Sequence, residues 1–224
     1  MDGFGLERTA LGTVKKTSLD EFSNPRKAGI IAVDLDPGDF LIGASLTDGK
    51  HDVMLFSDGG KAVRFDEDDV RAMGRNARGV RGMMLEPGQS VIAMLVAEDD
   101  ETQSVLTATE RGYGKRTSIA EYTRHGRGTK GMIAIQQSER NGKVVAATLV
   151  RPEDEIMLIT DRGVLVRTRV SEIRELGRAT QGVTLIALDD GSALSGLQRI
   201  VENDANDVVA NEGDGDTTPN GENT

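Results

Sequence analysis

The chain has 224 residues, 29% of them charged and 37% hydrophobic, with a formal net charge of −10 at pH 7; this composition predicts one or two soluble globular domains. No apolar run approaches the roughly 18 residues of a membrane-spanning helix, and the N-terminus lacks the pattern of a secretory signal. The chain has no cysteine and two histidines, which excludes disulfides and thiolate metal sites, argues against a histidine-based metal site or triad, and fits a reducing cytoplasm.

A repeat of about 50 residues organises the sequence. Each copy contains a short apolar strand, a polar turn, a glycine and a second strand, and the pattern starts at residues 12–17 and returns at residues 53–65, 105–117 and 156–168. The glycines that close the turns, which we term the anchor glycines, are Gly12, Gly60, Gly112 and Gly163, spaced by 48, 52 and 51 residues. Glycine suits the left-handed backbone of a tight hairpin turn.

The remainder of each repeat keeps a constant order. A glycine-rich basic loop ends at Gly29, Gly82, Gly131 and Gly182. Two further strands follow each loop, and they are predicted at residues 30–33 and 40–42, 83–85 and 91–94, 132–135 and 144–147, and 183–186 and 193–201. Helix is limited to about one turn at residues 67–73 and 170–176. Four short strands per repeat predict an all-β, propeller-like array of about four blades, and the absence of tryptophan excludes a WD-type repeat.

The two ends of the chain differ from the repeats. Residues 1–10 do not match the repeat, and the predicted repeat domain covers residues 11–201. Residues 202–224 contain seven Asp or Glu residues and no Lys or Arg, so that the rest of the chain carries a net charge of −3. This composition predicts a disordered acidic tail. The tail is either a solubilising extension or an acidic competitor that covers a basic surface and tunes its affinity for DNA.

Basic residues recur in register along the repeats. The position four residues after the anchor glycine is basic in every copy, as Lys16, Arg64, Arg116 and Arg167, and the preceding position is basic in two copies, as Lys15 and Lys115. The loops add a second row, formed by Arg71, Arg78, Arg81, Arg124, Arg127, Lys130, Arg169, Arg174 and Arg178. Equivalent positions must lie at equivalent places on successive blades, so the pattern predicts a basic stripe that contacts phosphates.

The sequence favours duplex DNA as the ligand of this stripe. The chain has only seven aromatic residues, whereas proteins that bind single strands use aromatic platforms for base stacking. No zinc-finger or recognition-helix motif is present to read base edges. Binding through the phosphate backbone, with little sequence preference, is therefore predicted. A protein-binding β-propeller without DNA activity is the rival interpretation.

No motif in the sequence assembles a catalytic centre. Residues 114–117 resemble part of a phosphate-binding loop, but Thr109 replaces the glycine that such a loop needs, and the hydroxyl residue does not directly follow Lys115. No nucleophile, base and orienting group can be proposed as a set. The chain is therefore predicted to have no catalytic residue, no metal site and no cofactor of its own.

Several stretches closely resemble the C-terminal DNA-wrapping domain of the bacterial DNA gyrase A subunit, from about residue 11 to residue 201. They are residues 12–17, 53–57, 70–74, 79–82, 112–117 and 166–173. The resemblance implies a β-pinwheel, a propeller-like ring whose blades exchange strands and whose outer edge bends DNA. It also implies a type II topoisomerase that introduces negative supercoils, with homodimeric A subunits, B subunits that complete an A2B2 complex, and ATP and Mg²⁺ held by other parts of the holoenzyme. The implied location is the bacterial cytoplasm, at the nucleoid, with no membrane contact.

The sequence departs from this family in three respects. The family has more blades, and its catalytic tyrosine domain is absent here. The Gln-Arg-Arg-Gly-Gly-Lys-Gly box that completes the wrap is missing, and its nearest counterpart is residues 124–131, which lack the paired arginines. The C-terminal domain of the topoisomerase IV A subunit has the same fold with less wrapping and is the alternative within the class.

Overall fold

The computed structural model describes residues 3–97 and 102–200, and this part of the chain is all-β. Its fifteen strands are β1 Phe4–Thr9, β2 Thr13–Ser18, β3 Leu41–Thr47, β4 Asp52–Ser57, β5 Lys61–Asp66, β6 Val80–Arg81, β7 Val91–Ala97, β8 Ser104–Thr109, β9 Tyr113–Ser118, β10 Met132–Ile133, β11 Val144–Val150, β12 Glu155–Thr160, β13 Leu165–Arg169, β14 Val183–Thr184 and β15 Leu194–Ile200. The helices described are single 3-10 turns at Leu19–Phe22, Glu67–Asp69, Ile119–Glu121 and Val170–Glu172, none of them long and apolar enough to cross a membrane. The predicted acidic tail lies outside the described residues.

The strands form four antiparallel sheets that exchange strands. The strand orders are β3-β1-β2-β6, β10-β5-β4-β7, β11-β8-β9-β14 and β13-β12-β15. In each of the first three sheets, the short outer strand belongs to the following repeat: β6 pairs with β2, β10 with β5, and β14 with β9. In the second, third and fourth repeats the strand predicted after the glycine-rich loop therefore exists, although in the second repeat it lies at residues 80–81 rather than 83–85, and it completes the sheet of the preceding repeat.

One strand of each sheet faces the centre of the array. Strands β3, β7, β11 and β15 contact one another in this order. The exchanged strands occupy the opposite edge of their sheets. The loops that carry the exchanged strands therefore lie on the outer rim, and we term residues 23–40, 71–90, 123–143 and 174–193 the rim loops.

The hydrophobic core is divided into three clusters, each between consecutive sheets. In the second sheet, Val53 and Leu55 of β4 pack in the first cluster, while Met54 and Phe56 pack in the second. Strand β4 is buried on both faces and is accordingly a nearly continuous apolar run. Strand β12 of the last sheet alternates between buried and half-buried residues, because within the described residues it has a neighbouring sheet on one side only.

Consecutive repeats are joined by hydrogen bonds at the anchor glycine. The carbonyl of Gly60 accepts hydrogen bonds from the N–H groups of Ala134 and Ile135, at 2.9 and 3.2 Å. The Gly12 carbonyl accepts in the same way from residues 82 and 83, and the Gly112 carbonyl from residues 185 and 186. A Cβ atom on Gly60 would lie 2.6 Å from the Ile135 carbonyl oxygen. The incoming chain thus requires glycine here for close approach, in addition to the positive φ of 75°.

The structure corrects four details of the sequence prediction. Residues 4–9, predicted to lie outside the repeat, form β1, a central strand of the first sheet. Residues 30–33 form no strand, because no preceding sheet is present in the described residues to pair with them. Gly79, with a φ of 106°, precedes β6 and is the equivalent of Gly131, whereas Gly82 follows that strand. The 3-10 turns at Leu19–Phe22 and Ile119–Glu121 were not predicted, although short polar caps such as Ser118 begin them.

Replacing an anchor glycine at a junction should lower the free energy of unfolding more than replacing Gly163 does. Gly112→Ala adds a Cβ atom 2.5 Å from the Ile186 carbonyl oxygen, whereas the same atom on Gly163 meets nothing within 4 Å. Both residues have positive φ values, 77° and 79°, so each substitution costs about 1–2 kcal/mol of backbone strain. We expect Gly112→Ala to lower the free energy of unfolding in urea by a further ~1–3 kcal/mol through overpacking. Equal losses in the two variants would show that close approach at the junction is unimportant.

Candidate nucleic-acid interface

The basic residues four positions after the anchor glycines bind the next repeat and are buried at the first two junctions. Arg64 donates to the carbonyls of Ile119 and Tyr122 at 3.1 and 3.2 Å, and to the Asp52 carboxylate at 2.6 Å. Arg116 makes the equivalent bond to the Ile173 carbonyl at 2.7 Å. These carbonyls belong to the 3-10 turn of the following repeat or to the residue that ends it, so the cations cap a turn that approaches from the next blade.

Lys16 has the same role at the first junction, where its Nζ atom donates to the Glu67 carbonyl at 3.2 Å. The preceding lysines reach further into the next rim loop. Lys15 donates to the Arg75 carbonyl at 2.7 Å, and Lys115 donates to the Gly177 carbonyl at 2.6 Å. Burial lowers the pKa of Lys115 to about 8, which still leaves the ammonium group protonated at neutral pH.

The predicted stripe of strand residues is therefore not a surface feature. Lys15, Lys16, Arg64 and Lys115 are buried, and Arg116 is half-buried. Their hydrogen bonds go to backbone carbonyls of the next repeat, some of which, such as those of Glu67 and Ile119, also accept an N–H group within their own turn. Arg167 occupies the equivalent position in the last repeat, where no further repeat is described. It is exposed and pairs with Glu155.

The rim loops are tied to one another by a second set of cations. Arg75 donates to the Ile31 carbonyl at 2.7 Å, Arg127 to the Arg81 carbonyl at 3.0 Å, and Arg178 to the Ile133 carbonyl at 2.9 Å. Each arginine stands four residues before the glycine that precedes an exchanged strand. The spacing from Gly82 predicts Arg78 for this position in the second repeat, but the structure assigns it to Arg75. Arg78 instead pairs with Asp34 at 3.0 Å.

The remaining predicted residues lie exposed on or beside the rim. Arg71, Arg81, Arg124, Lys130, Arg169 and Arg174 are exposed. Arg124 pairs with the buried Asp52 at 2.8 Å and Lys130 with Glu86 at 2.8 Å, yet their side chains keep relative exposures of 51% and 60%. Arg169 lies 3.8 Å from Glu155 on the last sheet. Among the described residues, no hydrogen bond or ion pair of the Arg71 side chain is found.

Positive charge is concentrated in the middle of the rim. The rim loop of the second repeat carries four basic residues and one acidic residue, and that of the third carries five and one. The first and fourth rim loops each carry two basic and three acidic residues. Two basic residues of the third loop were not among the predicted site residues: Arg140, which lies 4.7 Å from the Tyr113 ring, and Lys143, which pairs with Asp58. Both residues lie outside the repeated glycine motif, so the sequence pattern did not indicate them.

The third rim loop is also accessible to the phosphate backbone of a nucleic acid. Gly126 is exposed, and an added Cβ atom there would meet nothing within 4 Å; a shallow depression lined by His125, Thr129 and Lys130 lies beside it. Glycines without side chains allow close approach of phosphates to backbone amides. Within the part of the chain that the structure describes, no group of His, Asp and Glu side chains is arranged to hold a metal ion.

Blades that exchange strands around a set of inner strands, with basic loops on the outer rim, define a propeller-like domain of the pinwheel type. The family model described as the DNA gyrase C-terminal domain, β-propeller, matches residues 9–48, 51–98, 103–151 and 154–200. The chain belongs to this family.

The relatives agree with this assignment. Over 194 residues, 87% of this chain, it is 56% identical to the DNA gyrase A subunit of Pseudomonas aeruginosa, and over 217 residues, 94% of this chain, it is 52% identical to that of Escherichia coli. The chain spans 21% and 25% of the length of these relatives. A solved gyrase A C-terminal domain matches with a TM-score of 0.80 and 29% identity, covering 89% of this chain and 66% of that one. The C-terminal domain of a DNA topoisomerase IV matches with a TM-score of 0.84 and 25% identity, covering 89% and 62%.

Arg64 and Arg167 provide a matched test of the role of the strand cations. Arg64→Met leaves the Tyr122 carbonyl without its side-chain donor at a buried junction and removes one of the two donors of the Ile119 carbonyl. It should lower the free energy of unfolding by about 1–3 kcal/mol. Arg167→Met removes a cation from the same repeat position at an exposed site, and should cost no more than about 1 kcal/mol. Urea unfolding of both variants measures the difference. A small effect of Arg64→Met would mean that the junction does not depend on this cation.

Proposed function

We propose that this chain binds duplex DNA along its outer rim, as the DNA-wrapping part of a gyrase A subunit. The observation that carries the proposal is the concentration of exposed basic side chains in the second and third rim loops, next to glycines that leave the backbone accessible. These loops lie on the convex side of the array, so a duplex that follows them must bend. Binding through phosphates, without base-reading elements, predicts little sequence preference.

The proposed binding surface is smaller than the sequence pattern suggested. It consists of rim residues that are exposed or half-exposed, namely Arg71, Arg81, Arg124, Arg127, Lys130 and Arg140, with Arg75 and Arg178 holding the loops in place. The buried strand cations belong to the junctions instead. Arg169 and Arg174 lie at the last blade, where acidic residues of the fourth rim loop reduce the attraction for phosphate.

The supercoiling reaction itself belongs, in this proposal, to a larger assembly. The relatives are gyrase A subunits of which this chain spans about a quarter, and the sequence supplies no set of catalytic residues. We therefore infer that strand cleavage, ATP and Mg²⁺ belong to other parts of an A2B2 complex, in which this domain holds the DNA. The similarity of the fold to a topoisomerase IV domain keeps that enzyme as the alternative, while the sequence identity to gyrase subunits favours gyrase.

Neutralising basic residues of the second and third rim loops should weaken binding to every DNA duplex by a similar factor. In the variant Arg71→Gln, Arg81→Gln, Lys130→Gln, we expect the slope of log affinity against log salt to become shallower by about 0.9 for each phosphate that is no longer neutralised. The matched control, Arg26→Gln, Lys27→Gln, Arg162→Gln, removes the same charge from exposed positions outside these two loops. Fluorescence anisotropy with two duplexes of unrelated sequence provides the measurement.

Two results would contradict the assignment of DNA binding to the second and third rim loops. Unchanged affinity and slope in the first variant would place the binding surface elsewhere. Equal reductions of affinity in the two variants would indicate an unspecific effect of net charge. If neither the original chain nor its variants bound duplex DNA at low salt, the protein-binding propeller would become the better interpretation.

The acidic tail should reduce the affinity for DNA if it competes for the rim. We expect residues 1–201 to bind duplex DNA more tightly than the whole chain, because the seven acidic residues of the tail no longer compete with phosphates. The difference should shrink as salt is raised, because screening weakens both interactions. Equal affinities at low salt would support a tail that serves solubility only.

A further inference from the structure

The third junction, which joins the third and fourth repeats, contains a buried lysine without a carboxylate. At the first junction, Lys15 on β2 faces Glu7 on β1, and their charged groups lie 3.4 Å apart. Lys115 is the equivalent lysine on β9 and is fully buried, but its neighbour across the sheet is Thr107. Within the described residues it forms no ion pair, and it donates to two backbone carbonyls of the fourth rim loop. This ammonium group therefore has no direct counter-ion inside the junction.

The second cation of this junction also lacks a carboxylate. At the second junction, Arg64 donates to Asp52 as well as to the turn of the next repeat. Arg116 is the equivalent residue at the third junction, and Ser104 stands at the position of Asp52. The Arg116 guanidinium donates to the carbonyl of Ile173, and it forms no ion pair with a carboxylate in the described part of the chain. The third junction thus brings two cations into the interface without a carboxylate for either.

The strands that receive the exchanged segments show the same difference between the junctions. Strands β2 and β5 are buried along four consecutive residues, whereas in β9 the buried run is interrupted at Arg116, which is half-buried. Strand β9 also has Gly114 at the position that pairs with the exchanged strand, where the other two junctions have Val14 and Ala62. A glycine inside a strand loses more backbone entropy on folding than other residues do. Burial and backbone entropy therefore both favour the third junction less than the first two.

The closed junction also disfavours the charged form of Lys115. Burial lowers the pKa of this lysine from its ordinary value of 10.5 to about 8. Two charged groups act on it as well: Glu121, in the turn that follows β9, raises the pKa, and Arg178, in the fourth rim loop, lowers it. Burial raises the pKa of Tyr122, which is subject to the same two charges, so its hydroxyl stays neutral at neutral and mildly alkaline pH. The charge on Lys115 therefore favours a state of the junction in which water reaches the ammonium group.

We propose that the fourth rim loop is a strap that opens: together with β14 it detaches from β9 more readily than the second and third rim loops detach from β2 and β5. The reason is that its contact with β9 encloses two cations without carboxylate partners, next to a glycine in the receiving strand. Strand β14 is the outer strand of the third sheet, so detachment exposes Lys115 and Arg116 at the outer edge of that sheet. The opening does not depend on the proposed DNA binding.

Native-state hydrogen exchange measures the opening of each junction separately, because two N–H groups of the next repeat donate to equivalent carbonyls at each one. They belong to Met73 and Gly82 at the first junction, His125 and Ala134 at the second, and Leu176 and Leu185 at the third. After correction for intrinsic rates, the two groups at the third junction should exchange fastest at pH 7. From pH 7 to pH 9 their opening constant should fall about tenfold, because the open state binds the Lys115 proton more tightly than the closed state, in which the pKa is about 8. The groups at the first two junctions are internal controls and should show no such fall.

Two variants test the cause of the opening. Thr107→Glu supplies at the third junction the carboxylate that Glu7 supplies at the first, so it should slow exchange there and reduce the dependence on pH. Lys115→Met removes the titrating group, so the opening constant should no longer change between pH 7 and pH 9. Ser23→Glu and Lys50→Met make the same changes of charge at exposed positions and should exchange like the original chain.

The pH series on the original chain does not depend on the folding of any variant. Equal protection of the equivalent groups at the three junctions, or an opening constant at the third junction that does not fall with pH, would overturn the proposal. The same conclusion would follow if Thr107→Glu, with normal protection at the first two junctions, exchanged at the third as fast as the original chain. Persistence of the pH dependence in Lys115→Met would also contradict the proposal.

Discussion

The fold depends on the hydrogen bonds by which each repeat completes the sheet of its predecessor. The carbonyl of an anchor glycine accepts two N–H groups from the next repeat, at a distance that a Cβ atom would prevent. The three core clusters lie at the same junctions. An isolated repeat would leave both its sheet and its core incomplete, so stability arises between neighbours, as in other repeat proteins.

The junctions also explain where much of the positive charge is used. Each 3-10 turn, with the residue that ends it, presents carbonyls to the preceding blade, and those of Tyr122 and Ile173 have no donor within their own turn. An arginine or lysine on a strand reaches them with several donors at once. Arg64, which also neutralises Asp52, shows why such a position must be basic whether or not DNA binds. Recurrence of charge in register is thus first a property of the architecture.

The charges of the rim loops can differ between repeats without changing the sheets or the junctions between them. The four rim loops have equivalent places in the array but different charges, and only the second and third are strongly basic. The arginines that link consecutive loops, Arg75, Arg127 and Arg178, fix the spacing of these loops. Function in this domain therefore depends on the loops that connect the repeated strands, as in other repeat folds.

The sequence alone determined the repeat, the all-β class, the anchor glycines and the family, because glycine spacing and apolar runs are local signals. Only the tertiary structure showed which sheet each exchanged strand joins, that residues 4–9 form a central strand, and that Arg75 rather than Arg78 links the loops. It also separated buried cations such as Lys115 from exposed ones such as Arg71. A strand position and a charge look the same in sequence whether the neighbouring blade covers them or not, since burial is decided by residues about 50 positions away.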